Sequence, residues 1–172
     1  MRQSAPRFLA TTDAREDLER ALGLGSGTVR RDVPTQVVST GAEHLLVAVD
    51  SVVTVDRAVP EPTVLKRFLA SVGTEGCYIY ALMHDVDSDA PDAYARFFNP
   101  TVGIAEDPAT GTAAGPLAAL LVRGGHVGSK TNIRIEQGTA IGRRSLLDLH
   151  VAGDVVELSG SGVIAAEGTL FL

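Results

Sequence analysis

Two rhythms of apolar residues run along the chain: short β-type runs in some stretches and helical spacing in others, with glycine and proline between them. An extended start through Phe8 leads to Thr12 and Asp13. Either is placed to cap a short helix whose Leu18, Ala21 and Leu22 recur at helical spacing and which Gly23 and Gly25 end. Residues 34–40 and 44–50 are β-rich runs separated by Gly41-Ala-Glu43, the pattern of a hairpin. Pro62, a favoured first-turn residue, starts a second helix with Val64, Leu65, Phe68 and Leu69 on one face.

Residues 76–83 and 93–98 read as strands, and the acidic segment 84–91 as the loop between them. From Thr112 to about Val122 the residues are small or apolar on every face, as in a helix surrounded by protein. Pro116 is tolerable there only within the first turn, which puts the start near Thr112. Gly124-Gly125 ends it. Four β-type runs follow at 131–136, 144–151, 154–159 and 162–166, the last with a continuation at 169–172. Their glycine-bearing turns favour antiparallel neighbours. The predicted class is therefore α+β, an antiparallel-rich β-barrel or curved sheet around a central apolar helix.

Composition narrows the function. With 172 residues, 45% of them hydrophobic, the chain has enough apolar material for a real core. The 21 acidic against 15 basic residues leave a net charge of -6, without a basic block or aromatic-interleaved stripe, so nucleic acid is not an expected partner. Cys77 is the only cysteine, which excludes an intrachain disulfide and a multi-thiolate zinc site and fits a reducing cytoplasm. Residues 1–8 are charged but have no apolar h-region, and no secretion is implied. The longest apolar run, 116–122, is far too short to span a bilayer, so no membrane role is expected. His44, His84, His126 and His150 are dispersed without metal-site spacing, and no metal is expected. The glycine pairs and the 138–142 segment form neither a dinucleotide fingerprint nor a phosphate-binding loop, so no cofactor is expected.

The candidate chemistry lies at Glu106-Asp-Pro-Ala-Thr-Gly-Thr-Ala113, between Ala95-Arg-Phe-Phe-Asn-Pro100 and the apolar helix. Backbone N–H groups at a helix start lack intrahelical partners and carry partial positive charge, so they can hold a carboxylate or oxyanion. Asp107 stands at that lip, able to take or return a proton; its competing role is to cap the helix. Gly111 and Thr112 offer amides and a hydroxyl. Arg96 either meets an anionic substrate or bridges to a carboxylate such as Glu106. Glu106 itself would raise the proton affinity of Asp107 if both faced the same cleft.

Further landmarks run in order across nearly the whole chain: Met1-x-Gln-x-x-Pro-x-Phe8, Ser39-Thr-Gly41 with His44-Leu45, Glu136-Gln-Gly138 with Gly142-Arg143 and Ser145, and the closing Gly162-Val-Ile to Leu172. Together with the two segments above, they resemble the second half of the PhzF-like phenazine-biosynthesis family, which shares the diaminopimelate-epimerase-like fold. The resemblance implies an isomerase of two similar lobes, each a β-barrel around a central helix, with the active site in the cleft between them. It implies cofactor-independent proton transfer on a small carboxylate, the named activity being isomerisation of trans-2,3-dihydro-3-hydroxyanthranilate.

The family's aspartate and glycine-hydroxyl pair carry over to Asp107, Gly111 and Thr112, where serine is the commoner residue at the last position. Thr110 occupies the place of the second-lobe cysteine in the epimerase relatives, which disfavours a two-thiol mechanism. It is grouped with Gly111 and Thr112 as substrate-binding, with Asp107 catalytic. The family's Asn-Leu-Ser-Glu-Thr-like segment, with its acid/base glutamate, and its Gly-His-Ala-Thr-like segment do not occur in these 172 residues. Residues 1–172 are thus expected to be a C-terminal lobe whose residues 1–10 and 168–172 can cross toward an N-terminal lobe. Its partners would be that lobe or a second copy. The alternative reading is a non-catalytic ligand-binding or self-associating lobe, which would cover its cleft face by pairing.

Overall fold

A computed structural model describes residues 1–83, 90–128, 130–161, 164 and 166–169. The loop expected at 84–91 and the strands expected at 162–166 and 169–172 fall largely outside them. In chain order the elements are β1 (Arg7–Thr11), α1 (Arg15–Leu22), β2 (Gln36–Ser39), β3 (Glu43–Ala48), α2 (Val52–Arg57), α3 (Pro62–Ser71), β4 (Gly76–Leu82), β5 (Ala93–Asn99), β6 (Ile104–Asp107), α4 (Gly111–Arg123), β7 (Asn132–Gln137), β8 (Ser145–Ala152) and β9 (Val155–Ser159). The fold is mixed α+β. Sequence reading overlooked α2 and β6.

The nine strands of the described residues join one sheet of order β1-β2-β3-β4-β5-β7-β8-β9, with β6 on β5 as well. The β2–β3 and β7–β8–β9 connections are the expected tight antiparallel ones. Two pairs are parallel, β3 with β4 and β5 with β7, and each needs a crossover. Helices α2 and α3 make the first crossover and α4 the second.

The middle strands are apolar at nearly every position because both faces are covered. Val38, Leu46, Tyr78, Tyr80, Ala95 and Phe97 pack on the α4 side. Alternate residues Val37, Leu45, Cys77, Ile79 and Phe98 pack on the other, with Leu18 and Leu22 of α1 and Leu65 and Leu69 of α3. Outer strand β8 is one-sided, burying Leu147, Leu149 and Val151 against α4 while the residues between them are more exposed. Helix α4 is buried from Ala113 through Leu121 and contacts β2, β3, β8 and β9.

Residues 1–11 draw the two ends of the sheet together. The Gln3 N–H donates to the Val156 carbonyl (2.9 Å) and the Leu158 N–H to the Met1 carbonyl (2.8 Å). The Ser4 N–H donates to the Thr40 carbonyl (3.1 Å). With β1 paired to β2, this segment links β9 to β2 in a curled sheet, and α4 contacts β2, β3, β8 and β9.

Local ends differ from the expected ones in two places. Helix α1 begins after Ala14 without a side-chain cap, and Thr12 Oγ1 instead accepts the Ala14 N–H at 3.2 Å. In α4, Pro116 lies beyond the first turn, where it has no N–H to offer the Thr112 carbonyl. Among the described residues no helix is long and apolar enough to cross a membrane.

Candidate active site

Strand β6 delivers Asp107 to the mouth of α4, and a buried glutamine on β7 holds it there. Gln137 has no solvent exposure. Its amide nitrogen donates to the Asp107 carbonyl (2.6 Å) and to Thr110 Oγ1 (3.0 Å). Its oxygen accepts the Thr110 N–H (3.1 Å) and the Tyr78 hydroxyl (2.8 Å). The next residue, Gly138, adopts φ +81°, and a Cβ there would run into the Pro108 and Arg143 carbonyls. The 107–110 turn is thus pressed onto β7 from outside and pinned by Gln137 from inside.

Thr110 faces inward. It is buried, and its hydroxyl donates to the Asp107 carboxylate, fixing that side chain at the helix mouth. The Thr110 carbonyl accepts the Ala113 and Ala114 N–H groups. The amides of Gly111 and Thr112 have no hydrogen-bond partner among the described residues, as the first turn of a helix requires. Gly111 is half-buried and Thr112 exposed. Three of the expected site residues, Asp107, Gly111 and Thr112, therefore meet at one helix start, while the fourth braces them.

The seam of the sheet reaches the same turn. Gln3 Nε2 donates to the Gly111 carbonyl at 2.8 Å, and Gln3 Oε1 accepts the Thr40 hydroxyl. Gly115 makes room for this, since a Cβ there would overlap the Gln3 amide. His44 also arrives here, with Nε2 at 3.3 Å from Thr112 Oγ1. Burial pushes its pKa down to about 4. Gln3 was visible only as a spaced landmark, and His44 was expected to make a structural hydrogen bond, with a direct site role as the alternative; their convergence on α4 depends on strand pairing.

Other candidates are employed elsewhere. Arg96 binds Glu106 bidentately, at 2.9 and 2.7 Å, and its remaining amino group donates to the Val55, Asp56 and Ala58 carbonyls at 3.0, 3.1 and 2.9 Å. Glu106 is therefore neutralised by Arg96 and locked to the end of α2. Burial pushes the Cys77 thiol up to about 12, which makes it a poor nucleophile. His150 pairs with Asn132 at the surface, and His84 lies outside the described residues. Among the described residues no group of three or more His, Cys, Asp or Glu side chains is placed to hold a metal.

Taken together, the helix start can bind an oxyanion through two amides and a hydroxyl, with a fixed carboxylate alongside. Comparison with known proteins identifies the family of the chain. The family model for phenazine biosynthesis-like proteins matches residues 1–168. An uncharacterized isomerase of Clostridium acetobutylicum is 32% identical over 168 residues, covering 93% of this chain and 55% of that protein. The trans-2,3-dihydro-3-hydroxyanthranilate isomerase of Pseudomonas aeruginosa is 34% identical over 163 residues, covering 91% and 53%. Among solved structures, a Bacillus anthracis phenazine biosynthesis protein of the PhzF family superposes with a TM-score of 0.83 at 23% identity, covering 94% of this chain and 56% of that one. The chain thus spans about half the length of the curated relatives it matches.

Proposed function

The chain belongs to the phenazine biosynthesis-like family, and from that premise we propose that it is one lobe of a two-lobed, cofactor-independent isomerase that moves a proton on a small carboxylate. In this reading the curled sheet around α4 is a lobe of the diaminopimelate-epimerase-like type. The helix start is one wall of a cleft. The opposite wall, with the acid/base glutamate missing from these residues, belongs to an N-terminal lobe on the same polypeptide or another.

One observation carries the reading: the Gly111 and Thr112 amides, without a hydrogen-bond partner among the described residues, share the α4 start with the Thr112 hydroxyl and the Asp107 carboxylate that Thr110 fixes. The amides and hydroxyl hold the substrate carboxylate and stabilise charge that develops during proton transfer. Asp107, its rotamer set by Thr110, positions the reacting group and exchanges a proton with it. General acid/base catalysis of this kind contributes about 10²- to 10⁴-fold. Trans-2,3-dihydro-3-hydroxyanthranilate, the substrate in the name of the Pseudomonas relative, is a carboxylate of suitable class.

Isotope exchange at a carbon acid, followed in the complete two-lobed protein, tests the proposal. Asp107→Ala should slow exchange by at least about a hundredfold. Turnover unchanged by that substitution would remove Asp107 from the mechanism.

A second reading, self-association of a non-catalytic lobe, draws on a different surface. Val59 and Ile104 are 74% and 41% exposed. They line an apolar groove of about 400 Å³ with Pro62, Leu65 and Phe98. A strictly monomeric, well-folded chain in sedimentation would count against this reading.

A further inference from the structure

The two ring nitrogens of His44 meet different surroundings, and the difference assigns the ring a task. The residue is only 4% exposed, and the Phe97 ring stands edge-on to it at 4.9 Å. Nδ1 has no hydrogen-bond partner among the described residues. Strand β4 closes off that side, since a Cβ added at Gly76 would come within 2.9 Å of Nδ1. Nε2 faces Thr112 Oγ1 at 3.3 Å.

A neutral imidazole carries one proton and one lone pair. A buried N–H without an acceptor is the costlier orphan, so the enclosed Nδ1 keeps the lone pair and Nε2 carries the proton. Nε2–H then donates to Thr112 Oγ1. With a lone pair of that oxygen occupied by the histidine, the hydroxyl proton is left for a ligand. Were the tautomer reversed, Thr112 would spend its proton on Nε2 and offer an incoming anion only lone pairs.

We infer that His44 is a positioning residue that makes the Thr112 hydroxyl a third donor beside the Gly111 and Thr112 amides, selecting ligands with an ionised carboxylate. The inference rests on the carboxylate reading of this helix start. His44 touches no substrate in this scheme and acts through Thr112. Its burial keeps the ring neutral across the ordinary working range.

Long-range ¹H–¹⁵N spectra of the histidine rings, combined with benzoate titrations of the chain, test it. The expected spectrum at pH 7 shows His44 protonated on Nε2. His44→Leu and Thr112→Val should each weaken benzoate binding about tenfold, and the double variant should weaken it no further. His44→Gln, which restores an N–H near the Nε2 position, should recover most of the loss, and far-ultraviolet dichroism identifies any variant that has not folded. An Nδ1-protonated ring, additive losses in folded variants, or failure of glutamine to rescue would overturn the role given to His44. An Nε2-protonated ring in a wild-type chain that benzoate does not perturb would instead strike the carboxylate reading.

Discussion

Gln137→Leu is the sharpest perturbation of the helix mouth. Leucine roughly preserves volume, so the substitution removes hydrogen bonds with little cavity cost. Four bonds disappear. Two of the groups released have escapes: the Asp107 carbonyl lies on a half-buried residue within reach of water, and the Thr110 hydroxyl keeps its bond to the Asp107 carboxylate. The other two do not. The fully buried Tyr78 hydroxyl and the buried Thr110 N–H lose their acceptor. At about 1–3 kcal/mol for each orphaned group, the variant should lose about 4 kcal/mol, against a total stability of about 5–15 kcal/mol for an ordinary domain.

Urea unfolding measures this directly, and a thermal midpoint lowered by roughly 8–16 °C should accompany it. Tyr78→Phe provides the internal control. Alone it removes one donor from a glutamine oxygen that still accepts the Thr110 N–H, and should cost about 1 kcal/mol. Added to Gln137→Leu it removes one of the two orphans, so the double variant should be more stable than Gln137→Leu by about 1–3 kcal/mol. A Gln137→Leu loss under about 1 kcal/mol, or a double variant less stable than Gln137→Leu, would show that Gln137 does not hold the turn as argued.

Two further outcomes follow from the site's electrostatics. Because the folded pKa of His44 is lowered from 6.5 to about 4, the unfolded chain binds more protons between those values. The neutral ring's contribution is fully present above pH 6.5 and is lost as pH falls toward 4. Between pH 7 and 4.5 wild type should lose about 2 kcal/mol more stability than His44→Gln, checked by urea unfolding at those two values; parallel losses would refute it. Glu106→Gln should cost about 3 kcal/mol by leaving Arg96 buried with only carbonyl partners. That loss should be nearly the same in 0.1 and 1 M NaCl, since a buried pair is little screened; a loss that vanishes in salt would place the pair at the surface.

The elements read correctly were those whose local signals agreed with their surroundings. Helix α3 carries Pro62 at its start and an apolar face; the β7–β9 turns carry their glycines; α4 is apolar all round because it is covered all round. Helix α2 was missed because Val52-Val-Thr-Val55 has β-branched propensity, which Ser51 capping and Arg96 at the far end override. Four-residue β6 leaves too short a pattern to register, and only its pairing with β5 defines it. The meeting of Asp107, Gly111 and Thr112 at the start of α4 was legible because a helix start is a local feature. Gln137 was not, because its function arises where β7, β4 and the 107–110 turn converge. Thr110 was expected to bind substrate, and its inward direction, which the Gln137 contact sets, was not legible.

The closing seam has a kinetic consequence. Gln3 reaches the Gly111 carbonyl across 108 positions of sequence, while the β2–β3 and β7–β9 hairpins join near neighbours. Contacts so distant must meet a larger loop-closure entropy, so the hairpins zip first and the seam last. Its amides, Gln3 and Leu158 among them, should exchange with solvent through a local opening that needs far less free energy than baring α4. Since Gln3 holds the Gly111 carbonyl, each such opening also slackens the first turn of α4. Hydrogen exchange should therefore find the molecule breathing at the end of the helix where its candidate chemistry sits.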